Sequence, residues 1–203
     1  DNERRRGWKQ LDRIRRGVQQ MRHMVEDLLD ISSIDAGRLS MEMGEYPVQG
    51  VLEDALELLQ PLAKDKGISL TTQVNCSDAK LRCDRDRLVQ VLFNLVGNAL
   101  KFTPHGGEVV VLAQLKGGDQ ALVGVRDSGP GIPPELIPHL FQRYVQDKRT
   151  ARRGRGLGLY ICRGIVQAHG GAIWVDTAVG RGSTFFFTVP LASTTEVATL
   201  RSE

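Results

Sequence analysis

The stretch VLFNLVGNALKFTPHGG, residues 91–107, combines the pattern of a core helix with a row of polar side chains. Its apolar residues recur at helical spacing, and a proline followed by two glycines ends the run. Asn94 and Asn98 stand four residues apart, on one side of this helix, and Lys101 follows three residues later. An apolar helix that carries two amides and an ammonium group in one row predicts a ligand site along that row.

The chemistry of this row suits a phosphorylated ligand with a metal ion. The carbonyl oxygen of Asn98 can ligate a hard cation such as Mg²⁺, and Asn94 can do so directly or through water. Lys101 can neutralise phosphate charge. Asparagines that only bond within a core would explain either amide alone, but they explain the row of three poorly.

The totals describe an ordinary globular chain. Its 203 residues suggest one large domain, or one domain of common size with a shorter attachment. Hydrophobic residues make up 41% and charged residues 25%, and the net charge of +3 argues neither for nor against a polyanionic partner. The three cysteines form no CxxC pair, which favours a reducing, cytoplasmic setting. No apolar run approaches the ~18 residues of a membrane span, so membrane attachment is expected only through segments of a longer parent.

The first part of the chain, residues 1–45, predicts a helical arm and a linker. Apolar residues spaced 3-4-3-4-3 predict a helix over about 7–35 with the seam of a coiled coil or helical bundle. A single helix cannot bury such a stripe alone, so the arm is expected to pair with a missing segment or a second chain. The segment GEYPV is predicted as linker. The seam residues are Leu11, Ile14, Val18, Met21, Val25 and Leu28.

The sequence pattern predicts one α+β domain over residues 46–191 and a polar tail over residues 192–203. We expect a two-layer sandwich with a mixed, mostly antiparallel sheet covered by helices on one face. The predicted elements are a helix from Val48 to before Gly67, strands at 68–74 and 80–84, a helix at about 85–102, two strands joined by GGD, a short helix near 134–140, a helix entered through glycines, and a final hairpin around VGRG.

The stretch VRDSGPGI, residues 125–132, ends a predicted strand in Asp127 and continues with Gly129 and Gly131. A carboxylate at a strand end, followed by residues that let the backbone come close, suits recognition of a flat polar ligand. Asp-Ser-Gly is also good turn chemistry, and a single short motif does not decide between the two interpretations.

The stretch RRGRGLGLYIC, residues 152–162, places glycines at alternate positions where a helix begins. Free backbone N–H groups and the helix dipole can bind an anion there, although a flexible hinge would need the same glycines. The pattern is neither a Walker motif nor a dinucleotide fingerprint. Five basic residues between Lys148 and Arg155 strengthen the phosphate interpretation. They lack interleaved aromatic residues, so no nucleic-acid partner is expected.

Taken in order, these motifs resemble the ATP-binding domain of histidine kinases. N-x-x-x-N-A-x-K-F at 94–102, D-x-G-x-G at 127–131, LFQRYVQ at 140–146 and G-x-G-L-G-L at 154–159 correspond to the N, G1, F and G2 motifs of that family. The closing strands, with Gly-Ser-Thr-Phe from residue 182, also look like the family's. The resemblance covers about residues 46–191 and implies the Bergerat nucleotide-binding fold, shared with gyrase-type ATPases, mismatch-repair ATPases and a heat-shock chaperone family.

The resemblance implies ATP and Mg²⁺ as ligands and a role for each matched residue. Asp127 would accept a hydrogen bond from the adenine amino group, which favours ATP over GTP. Asn98 would hold Mg²⁺ with support from Asn94, Lys101 would meet the phosphates, and Phe102 would pack on the nucleotide. The remaining implied nucleotide-binding residues are Gly129, Gly131, Ile132, Phe141, Tyr144, Arg153, Gly154, Gly156, Leu157, Gly158, Leu159 and Thr184.

The first N-motif position separates kinases from ATPases within this fold. ATP-hydrolysing relatives carry a glutamate there that orients water, whereas Asn94 cannot act as a general base. The pocket is therefore suited to hold ATP intact until a histidine on the dimerisation helices attacks. The implied catalytic set is Asn94, Lys101 and Arg155, with Arg153 or Arg155 reaching the γ-phosphate.

None of the four histidines lies in the phospho-accepting motif of the family. His23 lies in a stretch that resembles the second helix of the dimerisation hairpin, so the first helix and its histidine are expected outside this chain. The resemblance implies a homodimer through the arm in the intact kinase and a response-regulator receiver domain as partner. Two alternatives stay open: a regulatory scaffold, against which the intact motifs speak, and a self-sufficient ATPase, against which Asn94 and the short lid speak.

Overall fold

The computed structural model describes residues 2–145 and 156–192, which form two compact units, Asp1–Ser40 and Met41–Glu203. The first unit contains helix α1 (Asn2–Asp35), which confirms the predicted helix and begins earlier than expected. Four seam residues, Val18, Met21, Val25 and Leu28, are more than half exposed. Among the described helices, none is long and apolar enough to cross a membrane.

The second unit contains the predicted helices and strands. In chain order they are β1 (Gly44–Pro47), α2 (Val48–Asp65), β2 (Ser69–Val74), β3 (Lys80–Cys83), α3 (Arg85–Phe102), β4 (Glu108–Lys116), β5 (Gln120–Asp127), a 3₁₀ helix (Pro134–His139), α4 (Gly158–Ala168), β6 (Ile173–Thr177) and β7 (Ser183–Pro190). The prediction of GEYPV as a linker was wrong in part, because its first four residues form strand β1, which pairs antiparallel with β3. This pairing joins distant segments, and the local pattern does not reveal it.

Five strands form one mixed sheet in the order β2-β4-β5-β7-β6. Strand β2 runs parallel to β4, and the other neighbours are antiparallel, as the predicted fold class requires. Helix α2 packs on β2, α3 on β4 and β5, and α4 on β6 and β7. Because α3 also contacts both α2 and α4, the helix with the polar row lies at the centre of the helical layer.

The start of α3 is fixed by Asp84, a buried N-cap residue. Its Oδ1 accepts a hydrogen bond from the Arg87 backbone N–H at 3.1 Å, and its Oδ2 accepts one from the Glu42 backbone N–H at 2.8 Å. The backbone N–H of Asp84 itself donates to Nε2 of His169 at 3.0 Å. Nδ1 of this buried histidine lies 2.8 Å from the Ile165 carbonyl, so it carries the proton. His169 therefore ties the end of α4 to the start of α3.

We expect His169→Leu to lower the free energy of unfolding by about 1–3 kcal/mol, because the buried Asp84 N–H then loses its acceptor. Gln167→Leu, an exposed position on the same helix, is the matched control. Urea unfolding of both variants measures the difference, and a loss for His169→Leu no larger than that of the control would contradict this role.

Candidate functional site

The carboxylate of Asp127 lies at the end of a central strand and is nearly buried, with 9% of the residue exposed. Asp127 is paired with Val109 of β4 on one side and Ser183 of β7 on the other. Its Oδ1 accepts a hydrogen bond from the Gly129 backbone N–H at 2.8 Å. Burial raises the pKa of Asp127, and hydrogen bonds from the backbone of Gly129 and Ser183 oppose that shift. The sheet thus places a buried carboxylate with a fixed orientation at the end of its central strand.

The loop after Asp127 packs backbone against backbone on the turn between β6 and β7. Gly131 has φ +70°, and a Cβ there would lie 2.1 Å from the carbonyl oxygen of Ala178. A Cβ at Gly182 would lie 2.0 Å from the carbonyl oxygen of Asp127. Only glycine fits such approaches, so both glycines hold the carboxylate and the neighbouring turn together.

Gly129 brings the carboxylate close to the end of α3. A Cβ at this position would lie 2.7 Å from Oδ1 of Asp127 and 3.4 Å from the Phe102 carbonyl oxygen. The half-buried Phe102 follows Lys101, whose Nζ lies 4.5 Å from the centroid of its ring. The predicted adenine-binding carboxylate and the predicted stacking residue therefore belong to one region of the molecule.

Two hydroxyl residues that the sequence did not single out lie beside this group. Thr177 Oγ1 accepts from the Ile132 backbone N–H at 3.0 Å and lies 2.9 Å from Ser183 Oγ. The sequence had indicated Thr184 instead, and the structure does not bring Thr184 to the carboxylate. Ser183 is paired with Asp127, and Thr184 with the exposed Arg126, so the two residues occupy opposite faces of β7. The alternation of side chains along β7 shows that Ser183 shares a face with Asp127 only once the register of β5 and β7 is known.

The polar row on α3 reaches from the region of Asp127 to the start of α4. Asn94 and Asn98 are half-buried. A Cβ at Gly158, the first residue of α4, would lie 3.1 Å from Oδ1 of Asn94. Lys101 lines a surface cavity of about 460 Å³ with Lys66, Leu100, Thr103 and His105. The row therefore connects the two glycine motifs across the surface of the domain.

The donors of this row fit Mg²⁺ that arrives with phosphates. Amide oxygens such as those of Asn94 and Asn98 are the hard ligands that Mg²⁺ accepts, and this ion usually keeps phosphate oxygens and water in its remaining positions. Among the side chains that the structure describes, no cluster of three or more His, Cys, Asp or Glu residues could hold a metal ion. The protein thus offers part of a coordination shell.

The F and G2 segments meet through their backbones. Tyr144 has φ +61°, rare for a residue with a side chain, and its N–H donates to the Gly156 carbonyl at 2.9 Å. A Cβ at Gly156 would lie 2.6 Å from the Val145 carbonyl oxygen. Phe141 packs edge-on against Phe185, with ring centroids 6.4 Å apart.

Two of the remaining implied residues lie at the start of α4. Leu157 is buried, and Leu159 is half-buried in the first turn of the helix. The predicted phosphate-binding residues Arg153, Gly154 and Arg155 lie outside the described residues.

Gly131 and Gly180 allow a matched test of the close backbone packing. Both have positive φ, but a Cβ at Gly180 would meet nothing within 4 Å. We expect Gly180→Ala to cost about 1–2 kcal/mol of backbone strain and Gly131→Ala about 1–3 kcal/mol more, because only the latter clashes with a carbonyl. Urea unfolding measures both, and equal costs would contradict the packing described.

The buried carboxylate also predicts a pH dependence. Because the pKa of Asp127 is raised above its ordinary 3.8, the folded state binds this proton more tightly than the unfolded state. The tighter binding of this proton contributes its whole stabilisation below about pH 3.8, and the stabilisation is lost as the pH rises through the folded-state pKa of Asp127. Relative to Asp127→Asn, the protein should therefore lose free energy of unfolding across that window. Urea unfolding of both forms at several pH values measures the difference, and a difference that grows in favour of Asp127 with rising pH would contradict the sign.

Comparison with known proteins agrees with this geometry. Residues 83–193 match the family described as histidine kinase-, DNA gyrase B-, and HSP90-like ATPase. The chain is 34% identical over 181 residues to the adaptive-response sensory kinase SasA of Synechococcus elongatus. This match covers 89% of this chain and 47% of SasA. It therefore spans about half the length of that relative.

Solved structures show the same fold. Full-length ShkA in complex with AMPPNP has a TM-score of 0.77 at 32% identity, over 86% of this chain and 36% of ShkA. The catalytic domain of histidine kinase ThkA has a TM-score of 0.66 at 31% identity, over 74% of this chain and 97% of that domain. ThkA in complex with the response regulator TrrA has a TM-score of 0.67 at 26% identity, over 85% of this chain and 49% of that chain. The chain belongs to the histidine kinase-, DNA gyrase B- and HSP90-like ATPase family, as the histidine kinase ATPase domain of a two-component sensor kinase.

Proposed function

We propose that this domain binds Mg·ATP between the Asp127 carboxylate and the start of α4. In the parent kinase, the γ-phosphoryl group then passes to a histidine on the dimerisation helix and from there to an aspartate of a response regulator. The observation that carries this proposal is the buried Asp127 carboxylate, oriented by the Gly129 N–H and placed next to α3. The AMPPNP complex of ShkA supports the choice of ligand.

Recognition of adenine follows from the surroundings of Asp127. An ionised carboxylate accepts a hydrogen bond from the exocyclic amino group of adenine, whereas guanine presents an acceptor at that position. The Thr177 hydroxyl donates to the Gly182 carbonyl at 3.0 Å, so the Ser183 hydroxyl, 2.9 Å away, donates to Thr177 Oγ1. The oxygen of Ser183 can then accept a further hydrogen bond on the same side of the sheet. The backbone of Phe102 lies near Gly129, and its ring would supply an aromatic surface for the nucleotide.

Phosphate and cation binding are proposed for the polar row of α3. Asn98, with Asn94 in support, would hold Mg²⁺, which neutralises phosphate charge when bound. Lys101 would meet the phosphates, and Arg153 or Arg155 would reach the γ-phosphate. A Cβ at Gly156 would overlap the backbone of Val145, and one at Gly158 would crowd the Asn94 side chain, so the start of α4 packs closely on the F segment and on the polar row.

Transfer is favoured over hydrolysis by the amide at position 94. An asparagine cannot take a proton from water, so this chain supplies no general base at the position where ATPases carry one. Its contribution to catalysis is positioning and charge stabilisation, while the nucleophile comes from elsewhere in the kinase.

Partners and location belong to the parent protein. The complex of ThkA with TrrA supports a response-regulator receiver domain as the phosphoryl acceptor. The exposed apolar residues of α1 support pairing of the arm in a homodimer, with residues 1–45 as the second dimerisation helix and linker, residues 46–191 as the catalytic domain and residues 192–203 as a polar tail. A cytoplasmic location follows from the same family role.

We expect the purified chain to retain ATP without consuming it. After equilibrium dialysis with γ-labelled Mg·ATP, the bound nucleotide should be recovered as intact ATP, with no label on the protein and no sustained phosphate release. The reason is that Asn94 offers no base and no histidine lies in an acceptor motif.

Each other outcome points to a different function. Label on any histidine would contradict the proposed division of roles, and sustained phosphate release would indicate an ATPase. Absence of retained nucleotide would favour the scaffold alternative.

A further inference from the structure

The hydroxyl group of Thr177, the last residue of β6, joins the loop after Asp127 to the turn between β6 and β7. Its oxygen accepts a hydrogen bond from the Ile132 backbone N–H at 3.0 Å, and the hydroxyl donates to the Gly182 carbonyl at 3.0 Å. The hydroxyl of Ser183 lies 2.9 Å from the same oxygen. The loop, the turn and the start of β7 therefore meet at one half-buried side chain.

The direction of each of these hydrogen bonds follows from the atoms that take part. A carbonyl oxygen can only accept, so the single hydroxyl proton of Thr177 is committed to Gly182. The two acceptor positions of the Thr177 oxygen then take the Ile132 N–H and the Ser183 O–H. Thr177 thus has no hydrogen-bonding position left for a ligand. Because the Ser183 proton is also committed, the Ser183 oxygen can only accept a hydrogen bond from a ligand.

This acceptor lies on the face of the sheet that carries the Asp127 carboxylate. Ser183 is paired with Asp127 in the register of β5 and β7, and paired residues of antiparallel strands share a face. Both residues are buried, with 6% of Ser183 and 9% of Asp127 exposed. An ionised carboxylate is also an acceptor only. Two acceptors on one face suit a base with an amino group, which has two N–H bonds, and disfavour a base with a carbonyl group there.

We propose that Thr177 is a positioning residue that sets the selectivity for adenine by holding the Ser183 hydroxyl as an acceptor. The proposal rests on the proposed function, because it takes the region of Asp127 to be where the base binds. Without the Thr177 oxygen, the Ser183 proton loses its acceptor, and the hydroxyl can turn to donate to a carbonyl group of a base. Thr177 therefore acts against the wrong base, although its own hydroxyl contacts only protein atoms.

The test compares ATP with inosine triphosphate, whose base carries a carbonyl group where adenine carries the amino group. Thr177→Val keeps the branched shape of the side chain and removes the hydroxyl, whereas Thr177→Ser retains the hydroxyl. Thr177→Ala removes the hydroxyl without adding volume and should reproduce the effect of Thr177→Val.

Thr188→Val is the matched control for loss of a buried hydroxyl group. Thr188 Oγ1 also accepts a hydrogen bond from a backbone N–H, that of Ala172, at 3.0 Å, and only 2% of Thr188 is exposed. Thr188 is paired with Leu122, five positions along β5 from Asp127. This variant therefore loses a comparable hydrogen bond away from the carboxylate.

The first measurement is calorimetric titration of each protein with both nucleotides in the presence of Mg²⁺. We expect the preference for ATP to fall about two- to tenfold in Thr177→Val, through a gain in affinity for inosine triphosphate. The preference should be unchanged in Thr177→Ser and Thr188→Val. A role of Thr177 in packing alone would weaken both nucleotides by the same factor and leave their ratio unchanged.

The second measurement uses nucleotide-free protein. The ¹³Cβ resonance of Ser183, identified by its loss in Ser183→Ala, should move in Thr177→Val and stay near its original position in Thr177→Ser and Thr188→Val. In the Ser183→Ala background, Thr177→Val should not lower the preference for ATP further, because the hydroxyl that it would release is absent.

The outcomes separate this inference from the proposed function. An unchanged ratio of affinities in Thr177→Val, in protein that binds ATP, would overturn the role of Thr177 alone. A Ser183 resonance that does not respond to loss of the Thr177 hydroxyl would do the same. Failure of the unsubstituted protein to bind ATP would overturn the proposed function and this inference with it.

Discussion

The buried carboxylate of Asp127 is the constraint on which the arrangement of this domain depends. Removing a carboxylate from water is unfavourable unless donors replace the lost hydration. Here the backbone of Gly129 and Ser183 provides hydrogen bonds, which requires the loop after β5 and the strand β7 to approach closely. Gly131 and Gly182 permit that approach, because a Cβ at either position would overlap a carbonyl oxygen. The positions of the loop and of the β6–β7 turn thus follow from one charged group.

Helix α3 connects this carboxylate to the rest of the site. Its buried face packs on β4 and β5, its start is held by Asp84 and His169, and its end lies near Gly129. One helix therefore aligns the region of the Asp127 carboxylate with the start of α4. A domain built in this way can hold a nucleotide along a rigid surface, and rigid positioning is what phosphoryl transfer requires of it.

The sequence predicted those features that local periodicity and turn chemistry determine. The heptad-like arm, α3, the hairpin of β4 and β5 and the order of the motifs all follow from neighbouring residues. Strand β1 was missed because its partner β3 lies more than thirty residues away. Which of the adjacent hydroxyl residues Ser183 and Thr184 shares a face with Asp127 is decided only by the pairing of β5 with β7. His169 holds the start of α3 through a hydrogen bond that no local pattern encodes.

The most direct test of the account is calorimetric titration of the protein and of Asp127→Asn with ATP, each with and without Mg²⁺. If Asp127 recognises adenine, the protein binds ATP more tightly with Mg²⁺, and the substitution weakens binding at least about fivefold, as expected when a buried hydrogen-bonding group is mismatched. The Mg²⁺ effect should persist in the variant, because Asn94 and Asn98 are unchanged. Equal affinity of the two proteins for ATP would contradict the central role of this carboxylate.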